Sequence, residues 1–315
     1  MASDAFLSLT DEVSNWGRWG DDDERGALNF IDEAARGRAA AAVVSGAAFP
    51  LSLPIDATVP MTLGNKRRFA PVATLISHDV RFLGDDDSAW SEDALHLPLQ
   101  TGTHWDALAH VSWRQQIYNG FGVETITLDE RATRCGIDKV AALVSRGVLL
   151  DVARARGVEY CENEVAVTAS DLEAACALAG VDVEPGDIVL VRTGAAGRFV
   201  GGPGAERKAY VSGAPGFAIA AARWFHARGV AALAVDAQNP DLLMVEEPDM
   251  LMPFGVLALR QMGMLLGQNW LLEDLADACS VDREREGRPA TFLLEASPLP
   301  ITGGLGSPVQ PVAIR

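Results

Sequence analysis

Cysteine is scarce in this sequence, and its spacing excludes several kinds of site. Cys135, Cys161, Cys176 and Cys279 are the only four cysteines in 315 residues, and none belongs to a CxxC or CxxH pattern. A structural zinc site or a CxxC redox pair needs such closely spaced thiols. We therefore expect four reduced thiols, most of them buried.

Long apolar runs and positive charge are also lacking. No stretch is apolar over the length that a membrane helix needs, and residues 1–7 lack the positive region and apolar core of a signal peptide. The 43 acidic residues outnumber the 26 basic ones, and the net charge of −17 argues against nucleic acid or an anionic membrane as a partner. The sequence thus predicts a soluble, cytoplasmic protein that acts on a small-molecule substrate.

What the chain does have is an alternation of apolar runs and helical patterns, separated by Gly, Pro and Asp. This rhythm predicts an α/β fold. No low-complexity linker or internal repeat divides the chain, so we expect a single domain over residues 1–315. The predicted helices cover 32–44, 168–179, 215–228 and 271–279, and the predicted strands cover 188–192, 230–235 and 291–295.

Two stretches without periodicity, Asp85–Ser88 and Gly201–Gly204, predict loops. The first contains three consecutive aspartates and is predicted to be a solvated acidic loop. A calcium site is the alternative, although the spaced ligands of an EF-hand are missing.

Histidine is rare, and two of the five histidines fall in one short segment. His104 and His110 flank Asp106 within the stretch Gln100–His110. If residues 104–106 form an extended strand, His104 and Asp106 point to the same side and can bind one metal ion. Imidazole and carboxylate groups suit Zn²⁺, Mn²⁺ or Fe²⁺.

The neighbours of this pair have matching chemistry. Gly102 allows a close backbone approach or a positive φ, and Gln100 offers a carbonyl oxygen on the same alternating face. His110 lies just beyond, where an imidazole that binds no metal can transfer protons. The structural alternative is a hydrogen bond between His104 and Asp106 in a turn, with His110 in the core.

The stretch Gln100–His110, which reads Q-T-G-T-H-W-D-A-L-A-H, resembles the HxGTHxDxPxH signature of a hydrolase family. This is the metal-dependent cyclase or kynurenine formamidase-like family, which includes arylformamidase, isatin hydrolase and trans-dienelactone hydrolase. Other segments resemble the family in the same order, from Trp16–Gly20 to Gly303–Pro308. The resemblance implies a swivelling β/β/α fold and a homodimer or homotetramer. It also implies that residues 1–30 fold over the active site.

The chain departs from the family pattern at ligand positions. The first histidine of the signature falls on Gln100, and its proline falls on Leu108. The downstream histidine and glutamate fall on Gly255 and Gln268, because the stretch between them keeps the family's interval. Glycine has no side-chain ligand and glutamine has no formal charge, so a second metal ion is not expected.

Two states of the site remain open from the sequence. One Mn²⁺ or Zn²⁺ ion can be held by Gln100, His104 and Asp106, or the site can be free of metal, because two strong ligands and one amide make a weak set. Asp236, at the end of an apolar strand, is a candidate substitute ligand. A strand-end carboxylate that caps a turn is the alternative.

Aromatic residues near the signature and in the N-terminal segment predict a flat, apolar substrate site for an aromatic or polycyclic compound. Ordinary core packing is the alternative for each of them. Together with Gln268, the predicted substrate-binding residues are Trp16, Trp19, Trp105, Trp113, Tyr118 and Phe121.

Three functions compete. The first is a metal-dependent hydrolase of a cyclic amide, lactone or N-formyl bond, in which one metal ion activates water and His110 carries the proton. The second is a metal-independent cyclase, lyase or isomerase of a natural-product or catabolic pathway, with His110 and Asp106 as the acid-base pair. The third is a noncatalytic ligand-binding protein, which leaves the retained histidines and aspartate without a role. We expect the hydrolase.

Overall fold

A computed structural model describes residues 2–56, 59–60, 95–201, 208, 210, 213–242, 246–247 and 249–315. Within these residues the main element is a nine-stranded mixed sheet, accompanied by two small sheets. In spatial order the large sheet contains β1 (Ala48–Pro50), β13 (Val312–Ile314), β11 (Thr291–Glu295), β5 (Val144–Asp151), β7 (Ile188–Arg192), β9 (Ala232–Val235), β10 (Leu265–Gln268), β2 (His104–Asp106) and β12 (Gly306–Pro308). The small sheets pair β3 (Ile126–Thr127) with β4 (Arg131–Ala132), and β6 (Ala166–Val167) with β8 (Gly216–Phe217).

The centre of the large sheet is parallel and buried. β5, β7, β9 and β10 run in the same direction, and every residue of β9 and β10 is buried. Continuous apolar strands of this kind are covered on both faces. The outer strands are antiparallel, and β2 lies between β10 and β12 with both pairings antiparallel.

Helices cover the sheet, and two of them pack on β5. The described helices are α1 (Asp4–Glu12), α2 (Glu33–Ala41), α3 (Val152–Ala155), α4 (Ala169–Ala179), α5 (Ala195–Gly201), α6 (Ala222–Ala227), α7 (Pro253–Gly255) and α8 (Glu273–Glu286). A π-helical segment, Val256–Met262, continues α7. Single 3₁₀ turns are formed by Gly26–Phe30, Tyr118–Gly120, Val123–Thr125, Ile137–Lys139 and Ile219–Ala221.

Local signals in the sequence account for several of these boundaries. The Thr168 side chain accepts from the backbone of Asp171 and the Asp171 side chain accepts from Thr168, which is the predicted capping box at the start of α4. Gly180 ends α4 at φ 65°, and the predicted helix stop Gly229 has φ 60°. The predicted strands 188–192 and 291–295 are confirmed at both ends.

The predicted helix 32–44 ends early, at Ala41, and the predicted strand 230–235 begins only at Ala232. Two other predicted helices differ more from the structure. The predicted helix 215–228 begins only at Ala222, because Gly216 and Phe217 pair with β6 and form β8 instead. The predicted helix 271–279 extends to Glu286, where Gly287 ends it at φ 68°. Its last turns are charged and carry no apolar periodicity, so the pattern used for the prediction stopped too early.

The α/β prediction is confirmed, and the buried apolar side chains form one continuous cluster. All four cysteines are free and buried, as predicted. Among the described helices, none combines the length and the apolar character that crossing a membrane requires. The predicted acidic loop Asp85–Ser88 and residues 202–204 of the second predicted loop lie outside the described residues. Gly201, the first residue of that second loop, is instead the last residue of α5.

Candidate active site

Strand β2 carries the predicted motif. Gly102, just before the strand, has φ 58°, the positive value that the sequence allowed for. The alternation of an extended strand then puts His104 and Asp106 on one face and Trp105 on the other. Gln268 of β10 pairs with His104 in the backbone register. The sheet thus brings the motif and the position of the family's glutamate together.

His104 is held in one tautomer by its own backbone. Its Nδ1 lies 2.8 Å from the carbonyl oxygen of Gly102. A carbonyl oxygen only accepts hydrogen bonds, so Nδ1 carries the hydrogen and Nε2 of the neutral imidazole is a lone-pair nitrogen. This Nε2 lies 3.5 Å from Oδ1 of Asp106. Both atoms are buried and have no hydrogen-bond partner in the described part of the chain.

Asp106 is the centre of the group. Its Oδ2 accepts a hydrogen bond of 2.7 Å from Nε2 of Gln268. Its Oδ1 faces a second imidazole, that of His110, whose Nε2 is 3.7 Å away. Burial alone raises the pKa of this carboxyl, but the charge of His110 and the contacts of His104 and Gln268 outweigh it and lower the pKa below its usual value.

His110 differs from His104 in exposure. The His104 side chain is 1% exposed, whereas the His110 side chain is 25% exposed. A group that exchanges protons with a substrate must be reachable, and a group that only binds an ion need not be. The structure therefore divides the two imidazoles into a buried one and an accessible one around the same carboxylate oxygen.

The two atoms without partners match the donor pair of a divalent ion. Two ligands that bind one ion at about 2.1 Å each lie about 3.4 Å apart at a tetrahedral angle. The 3.5 Å between His104 Nε2 and Asp106 Oδ1 fits this value. Across the described residues, no three His, Cys, Asp or Glu side chains are placed to hold one ion together. The described part of the chain thus offers two strong donors for one ion, His104 Nε2 and Asp106 Oδ1.

Gln100 is the predicted ligand that offers an amide oxygen. It is partly buried and lies beside Gly306, where a Cβ atom would come within 2.6 Å of the Gln100 Nε2. Gly306 pairs with Asp106 in the register of β12 and β2. The sheet therefore brings Gln100 to the neighbourhood of Asp106.

Asp241 borders the site and was missed by the sequence analysis. Its carboxylate accepts hydrogen bonds from the backbone N–H groups of Phe254 and Gly255. A Cβ atom on Gly255 would lie 3.2 Å from Oδ2 of Asp241, so this carboxylate lies where a histidine side chain would begin. Burial, together with the charge of Asp106, raises the pKa of Asp241 to about 7. The Asn-Pro-Asp turn shortly after β9 was the available signal.

Asp236 is a structural cap, and its candidacy as a substitute ligand is not supported. Its two carboxylate oxygens accept from the backbone and hydroxyl of Thr193 and from the backbone of Gly194. These bonds use both oxygens inside the protein. Burial and the neighbouring Glu273 raise the pKa of this carboxyl. The alternative stated for Asp236, a carboxylate that caps a turn, is what the structure contains.

The structure does not bring the six predicted aromatic residues together. Trp105 points away from His104, packs against Trp270, and donates its indole hydrogen to the carbonyl of Ala296. Tyr118 is also fully buried, and its hydroxyl donates to Asp23. Both rings are part of the core, so the placement of Trp105 and Tyr118 does not support a role in substrate binding, and that role stays a prediction.

The other four aromatic residues are partly buried. Trp16 and Trp113 stack on the guanidinium of Arg260, at 4.5 and 5.4 Å from the ring centroids. Trp19 packs edge-on against Phe30. Phe121 lies under the guanidinium of Arg134 at 4.8 Å. These rings retain accessible surface, so their role in substrate binding stays a prediction.

The N-terminal segment packs along the π-helical segment that follows Gly255. Asn15 bonds to the backbone of Gln261 and Met262, and the N–H of Ala27 donates to the carbonyl of Gly263. The indole of Trp16 donates to the carbonyl of Arg260. Residues 4–30 thus pack against the π-helical segment Val256–Met262, which begins beside Asp241.

Comparison with known proteins gives the class of this chain. A family model described as "Putative cyclase" matches residues 49–242. A crystal structure of a novel cyclase superposes with a TM-score of 0.84 at 31% sequence identity, covering 96% of this chain and 99% of that one. The protein belongs to the cyclase family. The predicted swivelling β/β/α fold is confirmed.

More distant structures share the fold. Isatin hydrolase A from Ralstonia solanacearum has a TM-score of 0.58 at 20% identity, covering 89% of this chain and 95% of its own. Isatin hydrolase A from Labrenzia aggregata, bound to benzyl benzoate, has a TM-score of 0.58 at 20% identity, covering 89% of this chain and 97% of its own. A search of curated proteins found no match.

Proposed function

We propose that the protein is a hydrolase that opens a cyclic amide, a lactone or an N-formyl bond in a small aromatic substrate. One observation carries the proposal: a buried and an accessible imidazole face the same oxygen of Asp106, at 3.5 and 3.7 Å. Hydrolysis of an acyl bond needs an activated water and a group that carries its proton to the leaving atom. The buried pair and His110 fit these two tasks.

His104 and Asp106 are the residues that would hold a divalent Mn²⁺ or Zn²⁺ ion, with Gln100 beside them. A bound ion of this kind lowers the pKa of water and polarises a carbonyl oxygen. The tautomer of His104 suits the task, because ligating histidines donate their other N–H to a carbonyl or carboxylate.

His110 would carry the proton. It takes one hydrogen from the water whose oxygen bonds to the carbonyl carbon. It then gives that proton to the nitrogen or oxygen released when the C–N or C–O bond breaks. Asp106 stabilises the imidazolium form in between, because its oxygen lies 3.7 Å from His110 Nε2 and its own pKa is lowered.

The preference for an aromatic substrate rests on the partly buried rings of Trp16, Trp19, Trp113 and Phe121. Flat apolar walls suit a flat ligand. The isatin hydrolases, which share the fold, are named for an aromatic cyclic amide. We include in the proposal that residues 1–30 cover the substrate and that the protein forms a homodimer or homotetramer.

The first experiment is the metal content of the purified protein by plasma mass spectrometry, as isolated and after dialysis against Mn²⁺ or Zn²⁺. Hydrolysis of isatin, aromatic lactones and N-formyl anilides is then assayed with and without a chelator. About one ion per chain and activity that is lost on chelation support the proposal. His110→Ala is expected to lose activity and keep the ion, whereas His96→Ala, an exposed histidine, serves as the control.

A second function is favoured by one specific contact. Gln268 donates a neutral hydrogen bond to Asp106, so these two side chains need no cation between them. This arrangement favours a metal-independent cyclase, lyase or isomerase, with His110 and Asp106 as the acid-base pair. A product formed without uptake of water, by an activity that ignores the chelator and is lost in His110→Ala, would establish this function and overturn the hydrolase proposal.

A further inference from the structure

The carbonyl oxygen of Gly102 accepts two hydrogen bonds, and both come from side chains near the site. One is the bond from Nδ1 of His104 at 2.8 Å. The other comes from Nδ2 of Asn269 at 2.9 Å. Because a carbonyl has two lone pairs, the two donors fill it completely and fix its direction. Asn269 therefore touches the same atom that sets the tautomer of His104.

Asn269 is itself held from several sides. It is 2% exposed, directly follows β10, and has φ 59°, a conformation that asparagine tolerates better than most residues. Its backbone carbonyl accepts from Thr103 Oγ1 at 2.6 Å. Its side-chain oxygen accepts from the hydroxyl of Tyr210 at 2.7 Å. The Tyr210 bond occupies the oxygen end of the amide, so the NH₂ end faces Gly102.

The neighbouring residue acts on the other half of the pair. Gln268 donates to Asp106, and Asn269 acts on His104 through Gly102. Two consecutive amides at the end of β10 thus hold the carboxylate and the imidazole that face each other. Neither amide carries a charge.

We propose that Asn269 is a positioning residue that keeps His104 in the Nδ1–H tautomer through the carbonyl of Gly102. Without this donor, the carbonyl is free to rotate away from Nδ1. His104 can then place its hydrogen on Nε2 and donate it to Oδ1 of Asp106, 3.5 Å away. That change would fill the space between the two atoms with a proton and remove the lone pair that a metal ion needs.

The role of the Nε2 lone pair as a metal ligand rests on the proposed function. The tautomer of His104 does not depend on that function. The test therefore reads the tautomer directly, by long-range ¹H–¹⁵N NMR of protein labelled in histidine. His104 is assigned by the signals lost in His104→Gln. The wild-type protein is expected to show the Nδ1–H pattern at this residue.

Asn269→Asp is the main variant because it keeps the size, the tolerance of positive φ and the acceptor for Tyr210, and replaces the NH₂ donor with a carboxylate oxygen that carries a negative charge. Asn269→Gly removes the side chain without backbone strain and covers the case of a protonated aspartic acid. In both variants we expect the Nε2–H form of His104 to appear. If the wild-type protein binds Mn²⁺, its affinity is expected to fall about 10- to 100-fold.

Thr193→Val is the control, since it removes a buried hydrogen bond to Asp236 in the same region without touching Gly102. Its His104 spectrum is expected to match that of the wild-type protein. Folded Asn269→Asp and Asn269→Gly proteins that both retain the Nδ1–H pattern would overturn the proposal. Absence of metal binding in the wild-type protein would count against the proposed function alone, because the tautomer result is independent of it.

Discussion

Asp106 and Asp236 are two buried carboxylates at the ends of nearby strands, and their surroundings shift their pKa values in opposite directions. Asp106 ends β2 and is 1% exposed, and Asp236 follows β9 and is fully buried. The pKa of Asp106 is lowered, mainly because the charge of His110 overcomes the effect of burial. The pKa of Asp236 is raised by burial and by the charge of Glu273. Both carboxyl groups are buried, so the neighbouring groups determine the direction in which each pKa is shifted.

The difference separates the carboxylate that we propose to be functional from a structural one. Asp106 has one oxygen without a hydrogen-bond partner, and two imidazoles face it. Asp236 has both oxygens occupied by N–H and O–H groups of Thr193 and Gly194. A carboxylate with unused acceptor capacity toward basic groups can bind or react, whereas a saturated one mainly holds the fold.

The largest effect is expected for Asp106→Asn. The amide keeps the shape but removes the charge between the two imidazoles, so the proposed ion would lose a charged ligand and the imidazolium form of His110 would no longer be stabilised. Activity is expected to fall about 100- to 10,000-fold. Metal analysis and assays check this, with circular dichroism as the control for folding. A variant that keeps one ion per chain would rule out Asp106 as a ligand.

Asp236→Asn should show the opposite profile. One oxygen is replaced by an NH₂ group that faces backbone N–H donors, and such an unsatisfied buried group costs about 1–3 kcal/mol. The free energy of unfolding in urea is expected to drop by this amount, while the folded protein keeps its metal content. Loss of the ion without loss of stability would return Asp236 to the list of ligands.

The sequence predicted the part of the site that depends on short-range geometry. His104 and Asp106 are two residues apart, and the alternation of a strand is enough to put them on one face. The same alternation puts Trp105 on the opposite face, so the sequence already indicated that this ring and His104 lie on different sides of the strand. The burial of Tyr118 was not predicted, because burial depends on packing between distant segments that no local pattern records.

The parts that were missed depend on contacts between distant segments. Asp241 reaches the site only because a loop after β9 meets the start of α7, and Gly255 leaves room for its carboxylate. The strand Gly216–Phe217 exists because β6 pairs with it, although the apolar pattern of this stretch favours a helix. Pairings of this kind override local propensity.

Asp241 offers a smaller test, because its pKa is raised to about 7. A carboxyl whose folded pKa lies above its unfolded value binds more protons in the folded state between about pH 4 and 7. Its contribution to stability is therefore lost as the pH rises through this range. Asp241→Asn removes this titration. The free energy of unfolding of the variant is therefore expected to increase relative to that of the wild-type protein as the pH rises.

Urea unfolding at several pH values between 4 and 8 measures this difference. The comparison with the variant matters, because a chain with a net charge of −17 is also affected by general repulsion. If the free energies of unfolding of the two proteins differ by the same amount at every pH in this range, Asp241 titrates as an ordinary carboxyl.

The smallest effect is expected from restoring the family's residues with Gly255→His and Gln268→Glu. Glutamate at position 268 replaces the 2.7 Å hydrogen bond to Asp106 with two facing carboxylates, which bind either a shared proton or a cation between them. Histidine at position 255 must displace the Asp241 carboxylate, which lies 3.2 Å from the new Cβ. Mn²⁺ occupancy is expected to rise toward two ions per chain in the double variant, with Gln268→Glu alone as the matched control. Unchanged occupancy would mean that these two positions do not face the ion, and that the hydrogen bond of Gln268 serves Asp106 only by keeping its carboxylate in place.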